Sequence, residues 1–237
     1  MTHLHLLCDE GISGDLLVAA LADAGAPPDD LRAAVSRAGV PATLEVEHCE
    51  ARHVRATRVR VTAPSDAAPI DRIAGLHAIV DAAVLPARAA ERAHAIVAAL
   101  GRAEAAVHGV PVDQVRLHEL GRPRTAATTI AVAVALELLD VDEVTVGPVA
   151  VGDGAVEIAH GRFPVPAPAV LHLLAGFEVE GGGRRQELTT PSGAAVLAAL
   201  AAPAASTPRL HLAGHGRGVA GDGASQRLLT ALVGGRS

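Results

Sequence analysis

Apolar and polar positions alternate across residues 3–8, and this period-two pattern predicts a first strand. His3 and His5 fall on one face of that strand and Cys8 on the other. A loop over 9–14 leads into a helical pattern over 15–24, stopped by Gly25 and the Pro27-Pro28 pair. Asp29 or Asp30 can cap a second helix that runs to Arg37 and closes at Gly39 and Pro41. Residues 44–50 and 54–62 alternate again and read as an antiparallel pair turning near Arg52-His53. The polar, Pro-containing stretch 63–69 reads as a linker. Helical periodicity returns over 70–84 and 86–107, the second with proline at its first position, and an irregular segment follows Gly109.

The second half begins with a helix over 125–139 and a Val-rich strand over 143–151, with 156–159 as its hairpin partner. A Pro-stiffened loop over 160–168 feeds a helix to Ala175. A short strand over 177–180, a Gly181-Gly182-Gly183 turn and a helix over 191–202 follow. Strands over 209–213 and 227–233 end the chain. No internal repeat is visible. Interleaved helices and strands place the fold in the α/β or α+β class. The linker suggests an α/β portion over 1–62 and a main α/β portion over 70–237, with one continuous domain as the alternative.

Composition narrows the chemistry. Half of the 237 residues are hydrophobic, which excludes a disordered chain. There are no Tyr or Trp and two Phe, so the core must be built from Ala, Val and Leu with closely packed helices. All 20 basic residues are Arg, which excludes a P-loop lysine and Schiff-base chemistry. A net charge of −6 and the missing aromatic platforms argue against a nucleic-acid partner. No apolar stretch is long enough to span a bilayer, and no secretory leader is visible at the N-terminus. Two cysteines suit a reduced, cytoplasmic chain.

Two segments look ready to receive anions. Ser13-Gly14-Asp15 stands where a loop hands over to a helix, and Thr189-Thr190-Pro191-Ser192-Gly193 repeats the device. The first turn of a helix leaves N–H groups unpaired and its dipole favours negative charge. The same residues would also serve as ordinary caps. Among the 12 histidines, His118 shares a loop with Glu119, and His160 precedes a Pro-rich turn. Such loop ligands suit borderline metals, although the spacing is that of no zinc finger or H-E-x-x-H helix. His3, His5, His77, His94 and His172 read as structural or solvated, and Cys8 as a buried small residue or a soft ligand. The run Gly216-Arg217-Gly218-Val219-Ala220-Gly221 matches G-x-G-x-x-G but leaves no room for a βαβ unit, so it is no dinucleotide fingerprint. No G-x-S-x-G elbow supports a hydrolase.

Taken in order, several pieces resemble the LarC nickel-insertion family. They are Cys8 with 11–15, then 105–112, 117–121, 159–168, 187–195 and 214–218, and they span almost the whole chain. Members convert a pyridinium bis-thiocarboxylate mononucleotide into the nickel-pincer cofactor of lactate racemase, using CTP. The resemblance implies that Ser13, Gly14, Thr189, Thr190, Ser192 and Gly193 hold the anionic mononucleotide. It implies that Asp15, His118, Glu119 and His160 deliver nickel, and that His108 or His118 takes the ring proton. The family's H-F-H-E-x-G-x-x-D-x-I-x-D segment differs here, with Arg116 for one His and Arg124 and Thr128 for the two Asp. Asp9 and Glu10 stand where the family has an aromatic residue and a Ser, and 64–69 replace a histidine-rich insertion. The C-terminal domain to which the resemblance assigns CTP has no counterpart in these residues, so a separate chain carrying it is an expected partner. The alternative is a non-catalytic binding or scaffold paralogue without the metal site.

Overall fold

The computed structural model describes residues 1–158, 161–221 and 226–236, with the backbone alone at 119, 158 and 236. An eight-stranded mixed sheet organises the chain. β1 (Thr2–Cys8) lies inside it, antiparallel to β10 (Arg227–Arg236) and parallel to β4 (Val141–Ala150). Beyond β10 come β9 (Leu210–Ala220), β3 (Val54–Thr62) and β2 (Thr43–Ala51). β2 and β3 form the antiparallel pair that their alternation predicts, and β3 meets β9 in parallel. On the far side of β4, two short parallel strands, β7 (Val179–Glu180) and β8 (Ala201–Pro203), share its edge. The helices are α1 (Gly14–Asp23), α2 (Pro28–Arg37), α3 (Ile73–Ala82), α4 (Ala87–His108), α5 (Pro123–Leu138), α6 (Pro168–Leu173) and α7 (Pro191–Leu200). Strands and helices interleave as the patterning predicts. None of these helices is long and apolar enough to cross a membrane.

α5 is buried along most of its length and packs against α1, α2 and α4. Its Ala126, Ala127, Ala131, Ala133 and Ala135 are all inside, so the core is indeed a small-residue one. α1 lies directly on β9, and two glycines make that possible. A Cβ at Gly216 would stand 2.0 Å from the Ala20 carbonyl oxygen, and one at Gly218 2.1 Å from that of Leu16. The G-x-G-x-x-G run is therefore a landing strip for a helix backbone. That is also why β9 continues to Ala220 instead of ending near 213. Glycine serves close backbone approach within a strand here.

Other boundaries moved for local reasons. Residues 155–158 do not pair with β4, because β1 holds one edge of that strand and β7 with β8 the other. They form β5 (Ala155–Ile158), which pairs with β6 (Gly161–Pro164), inside a stretch read as loop. α3 starts at Ile73 rather than 70 because its upstream backbone is engaged elsewhere. The Ile70 N–H donates to the Gly121 carbonyl at 2.7 Å, and the Leu117 N–H donates to that of Asp71 at 3.1 Å. α7 stops at Leu200 and the chain joins β4 as β8, ending in Pro203.

His3 and His5 are fully inside the protein, as structural residues. The Thr145 hydroxyl stands 2.7 Å from His3 Nε2 and 2.9 Å from His5 Nδ1, and Glu143 lies 3.2 Å from His3 Nδ1. Burial, with His3 alongside, holds His5 below the usual imidazole range. Burial pushes the Cys8 thiol well up, with Asp9 adding to it, so Cys8 is a neutral packing group.

Candidate functional site

Ser13 caps α1, its Oγ accepting from the Leu16 N–H at 3.3 Å. Thr190 caps α7, its Oγ1 accepting from the Gly193 N–H at 3.5 Å, with Pro191 at the first helical position where no N–H is needed. The two helix starts touch. The Thr190 N–H donates to the Ile12 carbonyl at 3.0 Å, the Gly14 N–H to Ser192 Oγ at 3.4 Å, and the Thr190 and Ser192 hydroxyls lie 3.0 Å apart. Such proximity demands glycine at 193, where a Cβ would come within 2.4 Å of the Ile12 carbonyl oxygen.

Thr189 is fully buried and ties the loops together. Its Oγ1 accepts from the Ile12 N–H at 3.3 Å and donates to the Ala150 carbonyl at 2.7 Å. Thr189 and Gly193 thus hold the two segments in place, whereas Ser13, Gly14, Asp15, Thr190 and Ser192 line a cleft of about 300 Å³. The first-turn N–H groups and dipoles of both helices favour an anion there.

Arg124 and Thr128, the two departures from the family's acidic positions, face this same cleft. Both bind Asp15: Arg124 through a short ion pair, Thr128 through a hydroxyl donated at 3.1 Å. Asp15 is therefore engaged by a cation and a donor. Glu10, another departure, is a tether. Its carboxylate accepts from Arg52 at 2.8 and 2.9 Å, from Arg184 at 2.7 Å and from the Leu228 N–H at 2.7 Å.

Beyond Leu120 and Pro191, which line both spaces, a second cleft of about 370 Å³ opens. It contains His108, the last residue of α4, and His118, in a single 3₁₀ turn over His118–Leu120. Their ring centroids are 5.4 Å apart although ten positions separate them in sequence. Gly109 adopts a left-handed conformation just after α4, which releases the chain, and the 70–71 backbone pairing described above pins the loop back. Glu104, one turn before His108, brings its carboxylate to 3.5 Å from His108 Nε2. Glu157, Phe163 and Glu187 complete the polar and aromatic wall. Motif reading passed over Glu104, although its i,i+4 spacing to His108 was the available signal. His160 and the Glu119 side chain, both expected to bind metal, lie outside the described structure. Among the described residues, no group of three or more His, Cys, Asp or Glu stands in a metal-holding arrangement.

Two helix starts thus meet over one cleft of this α/β fold, and a histidine-lined cleft lies beside it. Residues 4–232 match the family model described as Nickel insertion protein, and the chain belongs to that family. Relatives named for nickel insertion share much of its sequence. One from Pelobacter propionicus is 39% identical over 227 residues, covering 92% of this chain and 56% of the relative. One from Geobacter metallireducens is 38% identical over 221 residues, covering 92% and 56%. One from Thermomicrobium roseum is 42% identical over 197 residues, covering 81% and 48%. The chain thus spans about half the length of the curated relatives it matches. No solved structure matches it.

Proposed function

We propose that the chain holds an anionic pyridinium mononucleotide across these two adjacent clefts and presents its ring to incoming nickel on the histidine side. It would act as the substrate-holding part of a nickel insertion protein. The observation that carries this reading is the adjacency of the helix-start cleft and the one containing His108 and His118, which share Leu120 and Pro191 in their walls. Nickel is a substrate in this reaction. Forming a carbon–nickel bond on the ring releases a proton, and a neutral imidazole is a suitable acceptor near pH 7. Glu104 orients His108 for that role, while His118 is exposed to the cleft mouth. CTP consumption is assigned to the part of the longer relatives that these residues do not span. Two free thiols, Cys8 and Cys49, suit a reducing cytoplasm.

A second reading, a binding or scaffold protein without metal chemistry, draws support from Arg124 on Asp15. Both readings require the mononucleotide to bind. In a calorimetric titration with the thiocarboxylated mononucleotide, Thr190→Ala combined with Ser192→Ala should weaken binding about tenfold, which is about 1.4 kcal/mol. Urea unfolding should show that the pair costs only about 1–2 kcal/mol of stability. Equal affinities would reduce the two helix starts to ordinary caps.

A further inference from the structure

β3 and β9 pair only at Thr57 with Gly218 and Arg58 with Val219. β9 then ends at Ala220 while β3 runs on to Thr62, and the strands leave a cleft of about 390 Å³ between them. Among the described residues its lining includes four arginines, Arg58, Arg60, Arg124 and Arg227, and one acidic residue, Asp15. In a chain of net charge −6, this is a strong local reversal of sign. Ser13 and Thr190, the caps of α1 and α7, line the same cleft, so two helix N-termini lie at its wall.

The arginines are not equally satisfied. Arg124 pairs with Asp15, and Arg58 pairs with Glu47 at 3.4 Å while donating to the Gly221 carbonyl at 3.3 Å. Arg227 is half-buried, donates through Nη1 to the Leu188 carbonyl, and makes no ion pair among the described residues. Arg60 is exposed and also makes none among them. A half-buried cation held by a carbonyl, with no carboxylate in ion-pair contact among the described residues, is stabilised when an anion comes to it.

We infer that this cleft is a site for a phosphate monoester, with Arg227 as its anchor and Arg60 as the outer arm. A tetrahedral dianion offers enough acceptor oxygens for two guanidinium forks and the helix-start donors together, which a single carboxylate does not. Burial lowers the Arg227 pKa and neighbouring Arg184 adds to this, with Glu187 and Glu10 acting the other way. A bound anion would relieve that cost. The inference deepens the proposed function, since it places the phosphate end of the mononucleotide at the arginines and leaves the ring to reach toward the histidines. It rests on that reading only for the parent molecule.

The first probe is therefore inorganic phosphate, titrated into the whole chain at low salt and followed by ³¹P NMR. Wild type should bind phosphate saturably in the millimolar range. Arg227→Gln should weaken binding about tenfold, and Arg60→Gln, an exposed change that leaves folding intact, about threefold. Saturable binding weakened by both variants supports the site. Absence of saturable binding in wild type, or affinity unmoved by Arg60→Gln, overturns it. Competition by the mononucleotide tests the parent reading separately. If phosphate binds at the arginines and the mononucleotide does not displace it, the site stands and only the placement of the mononucleotide's phosphate there fails. If the mononucleotide shows no binding at all while phosphate still binds, the site stands and the proposed function fails.

Discussion

Valine at Gly216 or Gly218 should leave the chain unable to fold. Either Cβ would have to occupy space about 2 Å from a carbonyl oxygen of α1, as the Ala20 and Leu16 contacts show. The neighbour is helix backbone, which cannot rotate away like a flexible side chain. Ordinary overpacking costs about 1–3 kcal/mol. Here α1 would have to lift off the sheet, and α1 carries both a buried face and the Ser13 cap of the candidate site. Loss on that scale consumes much of the ~5–15 kcal/mol that keeps a domain folded. Gly214→Ala is the control, because its nearest neighbour, the Ala24 carbonyl oxygen, is 3.9 Å from the added Cβ. Circular dichroism and urea unfolding should show Gly214→Ala within about 1 kcal/mol of wild type. A cooperatively folded Gly218→Val protein of near-native stability would contradict the packing described.

Replacing Arg124 and Thr128 together by Asp should raise nickel affinity by roughly a hundredfold, about 2.7 kcal/mol. In the present chain Asp15 accepts from a guanidinium and a hydroxyl. The double variant removes a cation and sets two further carboxylates beside the same oxygen atoms. Carboxylates are competent ligands for a borderline divalent ion, whereas a guanidinium repels it. Without metal, the variant should be less stable than wild type because like charges crowd together, and nickel should restore part of the loss. Calorimetric titration with nickel measures the affinity. Equal nickel binding by variant and wild type would mean that this corner was never the place where metal selectivity was set.

The fold was legible wherever the signal was local. Alternation located β1, β2 and β3, and helical periodicity with proline and glycine stops located α1, α2, α4 and α5. Caps are equally local, so Ser13 and Thr190 could be read from their neighbours alone. Their meeting could not. The Gly14 to Ser192 contact spans 178 positions, and only the sheet topology brings those residues together. β5 was read as a strand but given the wrong partner, and β6 was read as loop, because which edge of β4 is free depends on strands far away in sequence. The arginines left a partial trace. Alternation along β3 puts Arg58 and Arg60 on one face, but nothing in it announces that β9 ends early and opens a cleft there. Arg124 was visible as a departure from the family pattern, and the structure adds its partner, Asp15.

The proposed function has one ligand lying across the two adjacent clefts with its ring at His108 and His118. Imidazole ¹⁵N–¹H correlation spectra, recorded while the thiocarboxylated mononucleotide is titrated in, test it most directly. The His108 and His118 signals should shift saturably, with the affinity found by calorimetry. Those of His77 and His94, which stack on each other between α3 and α4 and line neither cleft, should stay where they are. Binding that leaves His108 and His118 unmoved would contradict the account.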